Sequence, residues 1–457
     1  MKKITQEVSD FISRGTDSHI RVAVTGLSRA GKTAFITSLV NQLLHTSTHN
    51  NLPLFTAARD GRLIGAKRIP QHNMMIPRFS YDEAMDALHA EPPFWPVPTR
   101  DVSEIRLALK YKPASGAKKL LSQNSTLYLD IIDYPGEWLL DLPLLDMDFD
   151  TWSQSQFAAL KGQRAELAQV WKEQASELDL LTDADEKRLA EIADTYTQYL
   201  HGCKEQGLHW VQPGRFVLPG ELEGAPVLQF FPCLEPAEKY GKQSNYAVLK
   251  ARYEEYQQKV VKAFYKNHFA TFDRQIVLVD CLQPLNAGHD SFMDMRGALE
   301  QLLKSFKYGR SNILRRLFAP KIDKILFAAT KADHITPDQH PNLVSLLQQM
   351  VHPAWQQAAF EHIEMSCMSI ASIQATSAGF IASGSSSQPA LQGTTLDGQP
   401  QTMYPGEVPK KLPHKDYWQQ NSFDFTSFRP MPQHSDEPCQ HVRMDKALEY
   451  LIGDKLK

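Results

Sequence analysis

The chain has 457 residues, 42% hydrophobic and 22% charged, and its 49 Lys and Arg against 52 Asp and Glu leave a formal net charge of −3. This composition excludes a disordered or fibrous chain and, at roughly 150 residues per domain, suggests two to three structural units. It also argues against a dedicated nucleic-acid binder, which carries a basic excess that releases counterions from phosphate.

Cys203, Cys233, Cys281, Cys367 and Cys439 are odd in number, widely spaced and free of any C-x-x-C pair, which suits a reducing compartment better than a disulfide framework or a zinc site. The 16 histidines show no H-E-x-x-H spacing, so a protein-bound transition metal is not expected. No apolar run approaches the ~18 to 20 residues of a membrane span, and the opening MKKITQEVSDFISRG lacks the apolar core of a signal peptide, so the expected location is cytoplasmic.

After a short polar, helical lead, His19 to Thr25 (HIRVAVT) reads as a buried strand ending at Gly26. Phe35, Ile36, Leu39, Val40, Leu43 and Leu44 then form the stripe of a helix packed on a sheet. Residues 45 to about 98 read as a long loop with short elements, ending in the proline-rich EPPFWPVPT. Glu104 to Tyr111 and Thr126 to Asp133 alternate as strands and can form a hairpin across a Lys/Ser/Gly-rich connection.

From about 141 to 270 the chain turns charged and helical, with Phe157, Leu160, Leu167, Trp171 and Leu178 spaced as one helical face. The strand pattern resumes at Arg274 to Cys281, Lys324 to Thr330 and Met368 to Thr376, with helices near 291–306 and 342–360, so the sheet is expected to be largely parallel. Residues 381 to about 410 are Ser/Gly/Pro-rich and read as a mobile loop, and MDKALEYLIGDKL supplies a closing helix. The expected domains are 19–140, an inserted helical domain at 141–270, and 271–457.

Gly26-Leu27-Ser28-Arg29-Ala30-Gly31-Lys32-Thr33 is a full G-x-x-x-x-G-K-T between strand and helix. Its glycines let backbone N–H groups curl round a phosphate, Lys32 offsets the phosphate charge, and the Thr33 hydroxyl can ligate Mg²⁺; Ala34 continues the loop into the helix, whose dipole faces the same anion. Asp133-Tyr134-Pro135-Gly136 ends a buried strand: Asp133 can hold Mg²⁺ through water, and the Gly136 N–H can reach a γ-phosphate. The bland alternative is a strand-to-turn cap.

Thr330-Lys331-Ala332-Asp333 follows another apolar strand, and a carboxylate at Asp333 can accept both hydrogens of the guanine imino and amino groups, an edge that adenine lacks. The same four residues can also be an ordinary helix cap. Thr376-Ser377-Ala378 can offer the Ala378 N–H to the guanine keto oxygen. All four motifs are expected at the carboxyl ends of strands, where ligands bind in open α/β sheets.

Through GLSRAGKT, DYPGEWLLDLPLL and TKAD the chain resembles the YcjX-like family of bacterial P-loop proteins over nearly its full length, and the motifs match the G boxes of the GTPase superfamily. The resemblance implies an α/β, Ras-like P-loop NTPase core with an inserted helical region, binding of GTP and GDP, slow GTP hydrolysis and an association with bacterial stress responses.

Thr99, five residues before EIRLALKY, stands where a switch threonine ligates Mg²⁺ in such proteins, the alternative being a loop hydroxyl. Glu137 stands where many GTPases carry Gln; its charge beside a γ-phosphate predicts slow turnover unless a cation compensates, with Arg100 and Arg29 as candidates. Thr330 replaces the commoner Asn, and Gly379 follows where many relatives carry Lys.

The expected catalytic set is therefore Lys32, Thr99, Gly136 and Glu137, and the metal set Thr33, Thr99 and Asp133. The nucleotide contacts are Gly26, Ser28, Arg29, Ala30, Gly31, Lys32, Thr33, Ala34, Thr330, Lys331, Asp333, Ser377 and Ala378. Expected partners are guanine nucleotide and a protein effector or regulator. The basic stretch 304–324 can touch anionic lipid, or is a solvated helix face.

Overall fold

The computed structural model describes residues 17–27, 29–99, 101–114, 123–305, 322–360, 363–383 and 386–457. The predicted helical lead, Ser28, Arg100, most of the Lys/Ser/Gly-rich connection and residues 306–321 of the basic stretch lie outside them. The chain divides into two compact units. Among the described residues, the first unit holds those up to Tyr134, then Phe272–Asn286 and the residues from 322 onward; the second holds Pro135–Thr271 and 287–305.

Seven strands make the main sheet of the first unit: β1 (Ser18–Gly26), β2 (Leu63–Ile69), β3 (Ser103–Tyr111), β4 (Ser125–Asp133), β5 (Arg274–Val279), β6 (Lys324–Ala329) and β7 (Glu364–Ser369). Their order is β2-β3-β4-β1-β5-β6-β7. β1 runs parallel to β4 and β5, and β5, β6 and β7 continue in parallel, while β3 pairs antiparallel with both β4 and β2. The fold is thus α/β with a mostly parallel sheet, as the alternation of strand and helix implies.

The period of two decides which side chains make the core. Ile20, Val22 and Val24 of β1 and Leu127, Leu129 and Ile131 of β4 share one face, which packs on Phe35, Leu39 and Leu43 of helix α1 (Lys32–His45) and on Ala447, Leu448 and Leu451 of the closing helix Met444–Ile452. Each such side chain, fully removed from water, contributes roughly 1.5–3 kcal/mol. Two buried amides tie these layers together: the Asn41 Oδ1 accepts from the Cys439 N–H at 2.8 Å, and the Gln42 Nε2 donates to the Cys439 carbonyl at 2.5 Å.

Two sequence expectations change, and a third gains its elements. Edge strand β2 and helix α2 (Tyr81–His89) are among the short elements of the stretch read as a long loop. β2 escapes notice because Gly65 and Ala66 blur its alternation, whereas Tyr81, Ala84, Met85 and Leu88 bury one side of α2. The strand expected at 368–376 sits earlier, at β7; Ile370, Ile373 and Ala375 lie beyond it and are buried from loop backbone, which prolongs the apolar alternation past the strand.

The region expected as a mobile loop at 381–410 instead carries ordered strands. β8 (Thr376–Ser383), β9 (Ser386–Thr394) and β10 (Pro400–Met403) form an antiparallel sheet in the order β10-β9-β8. The Ser/Gly composition hides a small apolar cluster of Ala375, Met403 and Phe428, with Trp95 packed on it. Gly393 is needed there, since a Cβ on it would lie 2.7 Å from the Phe428 ring.

The second unit is helical among its described residues apart from the isolated bridge between Asp183 and Ser244. Its centre is aromatic: Trp152 stacks on Tyr253 with centroids 5.2 Å apart, and Trp171 meets Tyr196 edge-on at 5.1 Å. The face predicted from Phe157 to Leu178 is not continuous. The helices Phe149–Ala158, Gln163–Leu167 and Gln169–Ser176 divide it, with Gly162 at φ +52° in the first break, and of the five residues only Trp171 is buried. The longest helix of this unit, α3, runs Glu186–Glu205 and is capped by the Asp185 carboxylate, which accepts from the Arg188 N–H.

Candidate functional site

Because β1, β4, β5, β6 and β7 are parallel, their carboxyl ends lie on one edge of the sheet of the first unit. That edge carries Gly26, Asp133, Asp280, Thr330 and the loop after Ser369. It is where an open α/β sheet offers backbone groups and side chains to a ligand.

The turn from β1 to α1 is built by close approach. A Cβ on Gly26 would lie 2.7 Å from the Leu278 carbonyl and 2.9 Å from the Leu278 Cβ, so only glycine lets β1 and β5 pair there. Ala30 is buried and donates its N–H to the Leu27 carbonyl at 3.1 Å, while Arg29 (φ +62°) is exposed and Gly31 (φ +79°) caps the helix. Two left-handed residues within three wind the turn tightly, as a loop that can cradle an anion requires. Lys32, Thr33 and Ala34 open α1 half-buried, and Ser28 lies outside the described residues.

Asp133 stands beside Val24 in register, two residues before Gly26. It is 1% exposed, and among the described residues neither carboxylate oxygen has a hydrogen-bond partner at ordinary distance. Burial pushes its carboxyl up, against the pull of the Lys32 ammonium and the Thr99 hydroxyl nearby. Tyr134 is anchored beneath, stacked on Phe272 at 5.6 Å with its hydroxyl receiving the Gln275 amide. Thr99 is half-buried at the end of the proline-rich segment, which is held in place by the Trp95 indole donating to the Phe428 carbonyl at 2.8 Å.

Gly136 and Glu137 open the 3-10 segment Gly136–Asp146, both buried. The Glu137 carboxylate pairs at 2.8 Å with the Lys204 ammonium, from the last turn of α3. Among the described residues Lys204 is a cation beside it; Arg29 is exposed on the turn from β1 to α1, and Arg100 lies outside the described residues. A lysine 67 positions away gives no local signal in the sequence.

At the next strand ends, Lys331 takes φ +58° and its ammonium lies 2.6 Å from an Asp280 carboxylate oxygen. Burial opposes the charge on Asp280, but Lys331 and the N–H groups of Gln283 and Leu282 outweigh it, so the carboxyl titrates below its usual value. Asp280 was missed in the sequence although it ends an apolar strand just as Asp133 does. Thr330 is buried, its N–H donating to the Val279 carbonyl at 3.0 Å.

Asp333 is also buried and also held below the usual range. Burial opposes the charge, and His334 with the Ala375 N–H outweighs it. Its Oδ2 accepts from the Ala375 N–H at 2.7 Å, His334 Nδ1 lies 3.1 Å from its Oδ1, and its backbone carbonyl accepts from the Thr376 hydroxyl. The described partners of Asp333 are thus His334, Ala375 and Thr376. Ser377 and Ala378 are exposed on β8, with Ala378 opposite Leu391 in the antiparallel ladder.

Residues 20–456 match the YcjX-like family, DUF463. The chain belongs to the YcjX-like family. It is 55% identical over 466 residues to the protein named Ras-like GTPase YcjX in Escherichia coli (strain K12), covering 100% of both chains. It is 46% identical over 480 residues to the protein of the same name in Shewanella oneidensis (strain ATCC 700550 / JCM 31522 / CIP 106686 / LMG 19005 / NCIMB 14063 / MR-1), covering 100% of this chain and 99% of that one.

In this YcjX-like chain no group of three or more His, Cys, Asp or Glu side chains able to hold a metal occurs among the described residues. An all-protein metal cage is therefore not built there. What Asp133 offers is one buried carboxylate with the Thr99 hydroxyl near it, hard oxygens of the kind that suit a Mg²⁺ sharing its remaining places with water and phosphate. No helix among the described residues is long and apolar enough to cross a membrane.

Proposed function

We propose that this protein binds guanine nucleotide with Mg²⁺, hydrolyses GTP slowly to GDP and phosphate, and works as a nucleotide-dependent switch. The observation that carries the reading is Asp133, a buried carboxylate beside Lys32 and Thr99 whose oxygens have no hydrogen-bond partner at ordinary distance among the described residues. An orphaned buried charge costs free energy unless something binds it, and sites that keep one are functional. The relatives' name, Ras-like GTPase, agrees with it.

In this reading Gly26, Ser28, Arg29, Ala30, Gly31 and Ala34 cradle the phosphates, and Lys32 holds the β and γ phosphate oxygens. Thr33, Thr99 and Asp133 hold the cation, which when bound neutralises the charge that develops between those phosphates. The Gly136 N–H meets the γ-phosphate and Glu137 orients the attacking water. Thr330 and Lys331 frame the base, and Asp333, kept ionised by its surroundings, accepts from the guanine edge; Ser377 and Ala378 complete that side.

The stretch 141–270 is read as an insert within a G domain made of 19–140 and 271–457. It reports the nucleotide state to a protein effector or regulator of unknown identity in the cytoplasm. The bacterial stress role and any lipid contact through 304–324 rest on the resemblance and on the charge pattern alone.

Phosphate release from GTP with and without Mg²⁺ tests the reading. Wild type is expected to show slow, Mg²⁺-dependent release that Asp133→Asn lowers at least tenfold. Equal release by the variant, or none from the wild type, would exclude it.

A further inference from the structure

The segment Glu91 to Thr99 carries Pro92, Pro93, Pro96 and Pro98. A proline fixes its own φ and pushes the residue before it to extended backbone, so every residue from Trp95 to Pro98 is restricted and the stretch is a stiff rod. Thr99, whose hydroxyl stands beside Asp133, comes next. Trp95 anchors the near end of the rod. Its indole N–H donates to the Phe428 carbonyl at 2.8 Å, and its ring packs both on the main core and on the small cluster of Ala375, Met403 and Phe428. One residue earlier, the Phe94 N–H donates to the Ala87 carbonyl of α2 at 3.1 Å. The far end is less enclosed, with Val97 76% exposed and Pro98 exposed. The cluster that receives Trp95 also serves the base-reading loop: the Ala375 N–H donates to the Asp333 Oδ2 at 2.7 Å, and the Phe428 ring lies 5.7 Å from that of His334. All of these residues belong to the first unit.

We infer that Trp95 is a positioning residue for Thr99: hooked to Phe428 and Ala375, it holds a proline rod whose far end sets the Thr99 hydroxyl beside Asp133. A flexible segment loses conformational freedom each time a ligand orders it, whereas a rod anchored in advance has already lost that freedom on folding. Thr99 is thereby preorganised for the triphosphate with its cation. The same anchor joins Thr99 to the base-reading end, because the floor that seats Trp95 includes the residue whose N–H holds Asp333.

This inference rests on the guanine-nucleotide reading above, and the experiment separates the two. Affinities for GDP and for a non-hydrolysable GTP analogue, each across a Mg²⁺ titration, are measured for wild type, Trp95→Ala, Trp95→Phe and Pro98→Gly, with melting temperatures and with hydrogen exchange at Val97 and Thr99 in the nucleotide-free proteins. Trp95→Ala is expected to weaken the analogue about thirtyfold and to raise the Mg²⁺ it needs, while GDP, which has no γ-phosphate for Thr99 to meet, stays within about threefold. Trp95→Phe keeps the ring and loses only the donor, so the analogue weakens about fivefold, the worth of one hydrogen bond. Pro98→Gly leaves the Trp95 anchor in place and softens only the rod; it should weaken the analogue about tenfold without lowering the melting temperature, which a merely structural tryptophan does not predict. Exchange at Thr99 should rise in Trp95→Ala and in Pro98→Gly before any ligand is added.

Analogue affinity and Thr99 exchange unchanged in Trp95→Phe and Pro98→Gly, in a protein that binds guanine nucleotide, would overturn the inference alone. Equal losses of GDP and analogue would do the same, since they mark a general loosening of the fold. A wild-type protein that binds no guanine nucleotide would overturn the inference and the reading beneath it together.

Discussion

The Lys331 ammonium lies 2.6 Å from a carboxylate oxygen of Asp280, joining the ends of β5 and β6 across 51 residues of sequence. Lys331 sits at φ +58°, a conformation that costs a non-glycine residue free energy, and its ion pair works against that cost. Asp280 is 3% exposed on its side chain and Lys331 34%, so the pair is half in water.

Asp280→Asn removes that anchor. The variant should lose about 1–2 kcal/mol of stability, less than for a fully buried pair because Lys331 can still reach solvent. Guanine-nucleotide affinity should fall about tenfold as the loop carrying Asp333 loosens. Because the Asp280 carboxyl is depressed in the folded state, its contribution is present above the unfolded value near 4 and lost as pH falls through the folded value. The gap between wild type and variant should therefore narrow in acid, and urea titrations at pH 3 and pH 7 check this.

Asp141 has the opposite sign. It is buried in the second unit, accepts from the Gly214 N–H at 2.8 Å and from the Tyr256 hydroxyl at 2.5 Å, and burial pushes its carboxyl up to about 7. The unfolded chain releases this proton near pH 4, so the group lowers folding stability as pH rises from about 4 to about 7. Asp141→Asn should leave stability nearly unchanged at pH 4 and raise it relative to wild type by pH 8. Thermal melts across that range check the slope; a difference that does not grow with pH would contradict it.

Gly26→Ala should be severe, since its Cβ meets backbone and side chain of Leu278 at 2.7 and 2.9 Å. Overpacking of this kind costs about 1–3 kcal/mol, and the shift of β1 from β5 would also spoil the turn at Arg29 and Gly31. The expected result is a folded but destabilised protein with nucleotide affinity reduced more than a hundredfold. Circular dichroism and a binding titration on the same sample separate the two effects.

Much of the first unit is legible because its signals are local. Gly26, Gly31 and Lys32 fix a turn between an apolar run and a helical stripe within eight residues, and Ile131 to Asp133 mark a buried strand tip. What escaped depends on contacts between distant residues. Asp280 with Lys331, Glu137 with Lys204 and Asp333 with Ala375 are pairs that no window of sequence contains. β8 and β9 were hidden by serines and glycines whose pairing, not composition, makes the sheet, and the helical stripe from Phe157 to Leu178 was misread because one glycine, Gly162, breaks it.

The most direct test of the account is displacement of a fluorescent GDP analogue from nucleotide-stripped protein by GDP, GTP and ATP with Mg²⁺, for wild type and Asp333→Asn. The account predicts that GDP and GTP compete at least a hundredfold better than ATP, a difference of about 2.7 kcal/mol, and that the variant loses this preference. Equal competition by ATP, or an unchanged preference in Asp333→Asn, would contradict it.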